Sequence, residues 1–279
     1  MLPIIGGMIA LDCLGPELLT GPTCGTREAG NSIAAVSRDA LHWARCEAED
    51  CEKARRWPEA ISYLDRLIAA EPTWRHYGRR ARALAEAGQY GRATEDYARA
   101  RELGGKRWTR NLQNWYEHGL VCAANGDLEG YRAVCTAALE QFQGDQNSHV
   151  LGSLVRLCTA APGALADPTQ IVKVAKRIQS KDVNVGEFAS YRAGDYYEVI
   201  RRLGYQLPGN PFLREFYVAM AYHRLGNHEE ARQWLDKGLQ RYGGRVHDEG
   251  RHWSDRLAMQ LLIREAEALI KGTKPESKK

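Results

Sequence analysis

The stretch AEAGQYGRATEDYARARELG, residues 85–104, alternates large and small apolar positions with polar ones. Counting from Gly88, the residues Tyr90, Ala93, Tyr97 and Ala100 stand at offsets of 2, 5, 9 and 12. Steps of three and four keep such side chains on one face of a helix. The pattern recurs as Gly126, Leu128, Tyr131, Cys135 and Ala138, then as Gly194, Tyr196, Val199 and Leu203, then as Gly226, His228, Ala231, Leu235 and Gly238. A further copy lacks the glycine but keeps Trp57, Ala60, Leu64 and Leu67. The Glu, Asp and Arg residues between the apolar positions of 85–104 are expected to face solvent.

The copies lie at near-constant spacing. Trp57 to Tyr90 is 33 residues, Gly194 to Gly226 is 32, Gly88 to Gly126 is 38, and Gly126 to Gly194 is 68. The last interval predicts a degenerate copy, and SHVLGSLVRLCTAAPGALADPTQIVKVAKRI (148–178) fills it with an apolar helix, a longer Pro/Gly turn and an amphipathic helix. Each unit reads as two helices. The upstream helix carries Tyr77, Ala81 and Leu84 in TWRHYGRRARALAEA, and Trp115, Gly119 and Cys122 in NLQNWYEHGLVCAA. Asp127, Asp195, Asn227 and Asp167 are placed to cap the second helices, and Pro58 and Pro168 fit a first helical position. A repeat of this length signals stacked helix pairs.

The combined pattern closely resembles the tetratricopeptide repeat (TPR) family over about residues 40–242. That family has large, small and large positions in the first helix. Its second helix has an aromatic, Ala, a large residue and Ala, a set that Tyr90, Ala93, Tyr97 and Ala100 meet. Departures are Tyr131 and Val199, where Ala is usual, and the whole fourth unit. The segments HWARCEAEDCEKARRWPEAISYLDRLIAAEP and GDLEGYRAVCTAALEQF are similar to TPR arrays that follow Ser/Thr kinase or WD40 domains in large bacterial proteins. The resemblance implies an all-α, right-handed TPR-type α-solenoid of about six helix pairs with a C-terminal capping helix near 252–270. On this reading residues 1–30 are a leader of uncertain structure, 31–271 the helical repeat domain with a long first helix over about 30–53, and 272–279 a disordered tail.

Composition narrows the function. Four Phe and four Met stand against thirteen Tyr and seven Trp, which favours many small interfaces. A net charge of +4 lacks the clustered basic signal of a nucleic-acid binder, so no nucleic-acid partner is expected. Seven cysteines, at 13, 24, 46, 51, 122, 135 and 158, form no CxxC pair and no zinc spacing. They read as reduced, mostly buried thiols of a cytoplasmic protein, with Cys122 and Cys135 as a packed pair. The N-terminus has no basic region before its apolar residues and Asp12 interrupts it, so neither a signal peptide nor a membrane span is expected. NHEEAR has Arg232 where a metalloprotease motif needs its second His, GGKR is not a phosphate loop, and no GxSxG or kinase motif occurs. No enzyme, cofactor or metal site is therefore expected.

By resemblance, the first helices of the pairs line a concave groove that binds a protein or peptide. Its N-terminal half would present Arg45, Arg75, Arg79 and Arg82, followed by Gln113, Tyr116 and Leu120. Its C-terminal half would present Phe188, Tyr191, Phe216, Met220 and His223. Such a groove suits an extended or helical peptide with an acidic end. The competing reading makes the Arg run a solvated face paired with local carboxylates such as Glu49 and Glu86. Arg45, Glu49, Arg79 and Arg82 occupy the positions where chaperone-tail binders carry Lys and Asn, so a chaperone tail is not the expected ligand. The expected function is a non-catalytic interaction scaffold. Two alternatives stay open: a sensor or recruitment segment of a larger kinase or WD40 protein, and an enzyme with a closed polar pocket. Neither partner identity nor oligomeric state follows from the sequence.

Overall fold

The chain's computed structural model describes residues 38–178, 185–204, 213–245, 248 and 250–272. The expected leader over 1–30, the first residues of the long first helix, and 273–279 of the tail lie outside the described residues. Helices come in pairs: α1 (Arg38–Lys53) with α2 (Trp57–Ala70), and α3 (Trp74–Glu86) with α4 (Tyr90–Gly104). After a short α5 (Lys106–Thr109) come α6 (Leu112–Ala124) with α7 (Leu128–Phe142), and α8 (Ser148–Thr159) with α9 (Thr169–Ala175). Then follow α10 (Val185–Arg192) with α11 (Tyr196–Leu203), α12 (Arg214–Arg224) with α13 (His228–Tyr242), and the long α14 (Trp253–Lys271). All described residues belong to one compact unit beginning at Arg38.

The turn glycines explain the regular register. Gly88, Gly126, Gly194 and Gly226 each take a left-handed φ, between +74° and +84°. No atom crowds the place of a Cβ at any of the four, so the backbone conformation sets the need for glycine. Arg55 holds the same position in the first pair and adopts φ 56° despite its side chain. The glycine-free copy is thus a true member of the set. Capping follows the expected residues in part. Asp127 accepts from Gly130 N at 2.8 Å, Asp195 from Glu198 N at 3.1 Å and Asp167 from Thr169 N at 2.9 Å. Asn227 makes no side-chain cap bond.

Seam positions are buried in every copy. Ala60, Leu64, Ala93, Tyr97, Ala100, Tyr131, Cys135, Ala138, Val199 and Ala231 are at most 2% exposed. Gly119 marks the closest crossing: a Cβ there would stand 2.5 Å from Leu157 Cδ1, so α6 and α8 meet through the missing methyl group. The long 38-residue interval is explained by α5, whose Trp108 is buried edge-on to Trp115 at 5.2 Å. One expectation is corrected. Asp96 does not face solvent; it is buried and takes two 2.7 Å bonds from Arg80 of the preceding helix.

Cys122 and Cys135, the expected packed pair, are buried in the same core, with Cys158 beside them. Cys135 Sγ donates to Leu157 O at 3.9 Å and Cys158 Sγ of the next pair to Cys135 O at 4.0 Å, and burial pushes the Cys135 pKa well up. Cys51, Cys122, Cys135 and Cys158 are buried and unbridged, and Cys46 is exposed. Burial raises the Cys122 and Cys135 thiols in pKa, which makes these two poor nucleophiles.

Successive elements pack in order, from α1 on α2 to α12 on α13. Two hydrophobic cores result, one through α1–α10 and one through α10–α13, and α14 enters both. Trp253 and Leu257 belong to the first, while Met259, Leu262, Ile263 and Ala266 belong to the second. The expected capping helix is therefore present, but it does more than close the end. It packs on α12, α13 and α6. Ion pairs tie it to Glu86 at the end of α3 and to Arg192 at the end of α10. Helix α14 thus runs back along the first helices of four pairs.

Candidate functional site

The structure separates the expected groove residues into two groups. Tyr191, Phe216 and Met220 are buried in the core that includes Met259, Leu262, Ile263 and Ala266 of α14. They do not line an open groove, because the chain's own C-terminal helix and α13 cover them. Phe216 also lies against Gly238, where a Cβ would stand 2.9 Å from the ring. Phe188 is partly buried and stacks on Tyr217 at 4.2 Å. His223 pairs with His228 at 3.3 Å between ring nitrogens, on the outside of the sixth pair. Burial, then the neighbouring positive groups, lower the His223 pKa.

Arginines of the N-terminal half remain accessible but are mostly engaged. Arg45 pairs with Glu71. Arg79 meets Glu52 of the previous pair with bonds of 2.9–3.2 Å. Arg82 reaches Glu117 of the next pair at 3.2–3.3 Å. Arg75 is exposed and stacks over Trp74, 4.8 Å from the ring centre. The competing reading of paired arginines is closer to the geometry, though with other partners. Glu49 pairs with Lys53, and Glu86 with Arg256 of α14.

One cavity of about 350 Å³ lies on this face. Arg82 of α3, Gln113, Tyr116 and Glu117 of α6, Ser153 and Arg156 of α8, and His252, Ser254 and Asp255 around the start of α14 line it. It brings Arg82 and Tyr116 together, and leaves Arg45, Arg75 and Arg79 outside. Glu117 sits at its base with a side chain 2% exposed. Tyr97 donates to it at 2.8 Å and Gln113 at 3.0 Å, while Arg82 supplies the opposite charge. Burial, then the Glu117 charge, raises the Tyr97 pKa well above its usual range, so the hydroxyl stays a donor. Behind Glu117, His118 packs against Tyr97 and Trp108. Burial, then Arg101, lowers its pKa to about 3, which keeps the ring neutral.

Sequence reasoning missed Glu117, Arg156 and the α14 residues of this cavity. A signal existed for Arg156, the single charge in the apolar run VLGSLVRLC. No sequence signal places Asp255 beside α6 and α8, since 99 residues separate it from Arg156. Among the described residues, no three His, Cys, Asp or Glu side chains gather as a metal site. None of the described helices is long and apolar enough to cross a membrane.

Residues 47–107, covering the first two pairs, match the tetratricopeptide repeat family model. No curated protein matches the chain in sequence. A solved tetratricopeptide repeat protein from Parabacteroides merdae is 12% identical and aligns with 83% of this chain and 91% of its own, at a TM-score of 0.52. The TPR domain of P58(IPK) is 15% identical and aligns with 85% of this chain and 67% of its own, at a TM-score of 0.37. The repeat register, the stacked pairs and the first of these structures agree: residues 47–107 carry tetratricopeptide repeat sequence, and the chain folds as a TPR-type α-solenoid.

Proposed function

We propose that this chain is a non-catalytic protein-interaction scaffold that receives its partner on the N-terminal half of the groove face. One observation carries the reading: α14 fills the aromatic half of that face, while Arg45, Arg75, Arg79 and Arg82 stay accessible on α1 and α3. A partner segment with carboxylates fits there. The Arg45 and Arg82 side chains are 42% and 48% exposed. The Arg45–Glu71 pair is open to water on both sides, and such pairs contribute about 1 kcal/mol or less, so a partner carboxylate can replace Glu71 at small cost. Arg75, held flat on Trp74, offers its guanidinium without an ion-pair partner among the described residues. Helix stacking keeps the face rigid, which limits the order lost on binding.

The test is capture from the native cell by the full chain and by an Arg75→Ala, Arg79→Ala, Arg82→Ala variant, with bound proteins identified by mass spectrometry. A partner that is kept by the parent and lost by a variant of equal melting temperature supports the proposal. An unchanged set of partners overturns it. Capture through these arginines also weakens as salt rises.

A further inference from the structure

The cavity beside Glu117 has a feature that peptide docking on α1 and α3 does not use. Arg156 and Asp255 both line it, yet neither is in an ion pair among the described residues. Opposite charges that share one opening usually close on each other when their backbones allow it. Here α8 and α14 hold the two groups apart across the opening. Both act electrostatically on the buried Tyr116 hydroxyl between them. Beside them Glu117 and Arg82 form a second couple, but one already joined. Arg82 gives its Nη2 to Glu117 and its side chain is 48% exposed.

We propose that this cavity binds a small zwitterion, a free amino acid or dipeptide, with its carboxylate between Arg156 and Arg82 and its ammonium at Asp255. Two separated charges of opposite sign select a ligand that carries both complements. A simple anion leaves Asp255 unpaired and repelled, and a simple cation does the same to Arg156. The remaining lining suits a polar ligand: Ser153 and Gln113 can donate or accept, and His252 is already bonded to Ser254 at 2.8 Å. About 350 Å³ is at the small end of ligand sites, which fits a molecule of one or two residues rather than a protein segment. The site exists only while the start of α14 stays docked against α6. Binding therefore favours the docked helix, and the ligand stabilises the whole array by mass action.

The experiment is thermal unfolding and titration calorimetry of the full chain with each free L-amino acid and with glycylglycine at millimolar concentration. At least one of these zwitterions is expected to raise the melting temperature by about 2–4 °C at tenfold excess over its dissociation constant. Its N-acetyl and amide derivatives, each lacking one charge, are expected to bind at least tenfold more weakly. Arg156→Gln and Asp255→Asn should each weaken binding at least tenfold without changing the circular dichroism. If Asp255→Asn disturbs α14, Arg156→Gln, on a helix in the middle of the array, decides alone. No saturable shift with any probe, equal binding of a singly charged derivative, or equal binding by Arg156→Gln overturns the proposal. An Arg75→Ala, Arg79→Ala variant, which spares Arg82, leaves this binding unchanged while weakening capture of a protein partner, so loss of a protein partner and loss of the zwitterion are read separately.

Discussion

Along the first helices of the opening pairs, guanidinium groups reach across to carboxylates of neighbouring elements. Along those of the closing pairs, aromatic and thioether side chains lie under a helix from the same chain. Both halves use the same repeat, with a left-handed residue at the turn and small residues in the seam. They differ in how the groove face is completed. In the N-terminal half, pairs such as Arg79–Glu52 and Arg82–Glu117 tie repeats together while their guanidinium groups stay open to water. In the C-terminal half, the face is apolar, and Met259, Leu262 and Ile263 of α14 cover it. An ion-paired face can remain a binding surface. An apolar face of that size needs an occupant, and here the chain supplies it.

Removing α14, by ending the chain before residue 252, tests this contrast most severely. Five large side chains in it are buried, each stabilising by about 1.5–3 kcal/mol, and Tyr191, Phe216 and Met220 would lose their cover. Loss of cooperative thermal unfolding is expected. A truncated chain that melts like the parent would show that the two halves do not differ in this way.

Single ion pairs sharpen the same contrast. Arg192 is 8% exposed, bonds Glu265 of α14 and donates to Thr159 O at 2.8 Å. Arg192→Ala is expected to cost about 3 kcal/mol, because the partly buried Glu265 and the Thr159 carbonyl both lose their partner. Arg45→Ala, in the open half, should cost about 1 kcal/mol or less. Similar losses in urea melts of the two variants would erase the distinction.

His118 gives the N-terminal core a pH signature. The folded chain holds it neutral down to about pH 3, whereas the unfolded chain takes up a proton near 6.5. Its contribution is therefore complete above about pH 6.5 and is lost as pH falls toward 3, by up to about 1.4 kcal/mol per pH unit. His118→Phe keeps the stack on Tyr97 and removes the titration. Its stability should fall less steeply than the parent's between about pH 6 and 4; equal slopes would remove His118 as the cause.

A further test concerns the turn shared by both halves. Gly88→Ala is expected to cost about 1–2 kcal/mol through its left-handed φ alone, since space for the methyl group exists. An unchanged melting temperature would mean that the turn relaxes freely.

How much of this was legible follows from range. The offsets from Gly88 found the helix pairs, because seam and turn are local properties of about thirty residues. They found Arg55's place as well, since Trp57, Ala60 and Leu64 fix the register without a glycine. The same local reading put Asp96 in solvent and offered Glu49 and Glu86 as partners for the arginine run, because the groups that meet Asp96 and Arg82 come from another helix. It identified a closing helix near 252–270 and an apolar groove half near Phe216, but not that one covers the other.

The sequence by itself determined the repeat: helix period, glycine turn and small-residue seam are written within each unit. Tertiary structure alone decided which surface stayed open. Helix α14 folds back across pairs far from it in sequence, burying the aromatic half and bringing Asp255 opposite Arg156. Such contacts depend on where a stacked array carries the end of the chain, and no local pattern encodes that path.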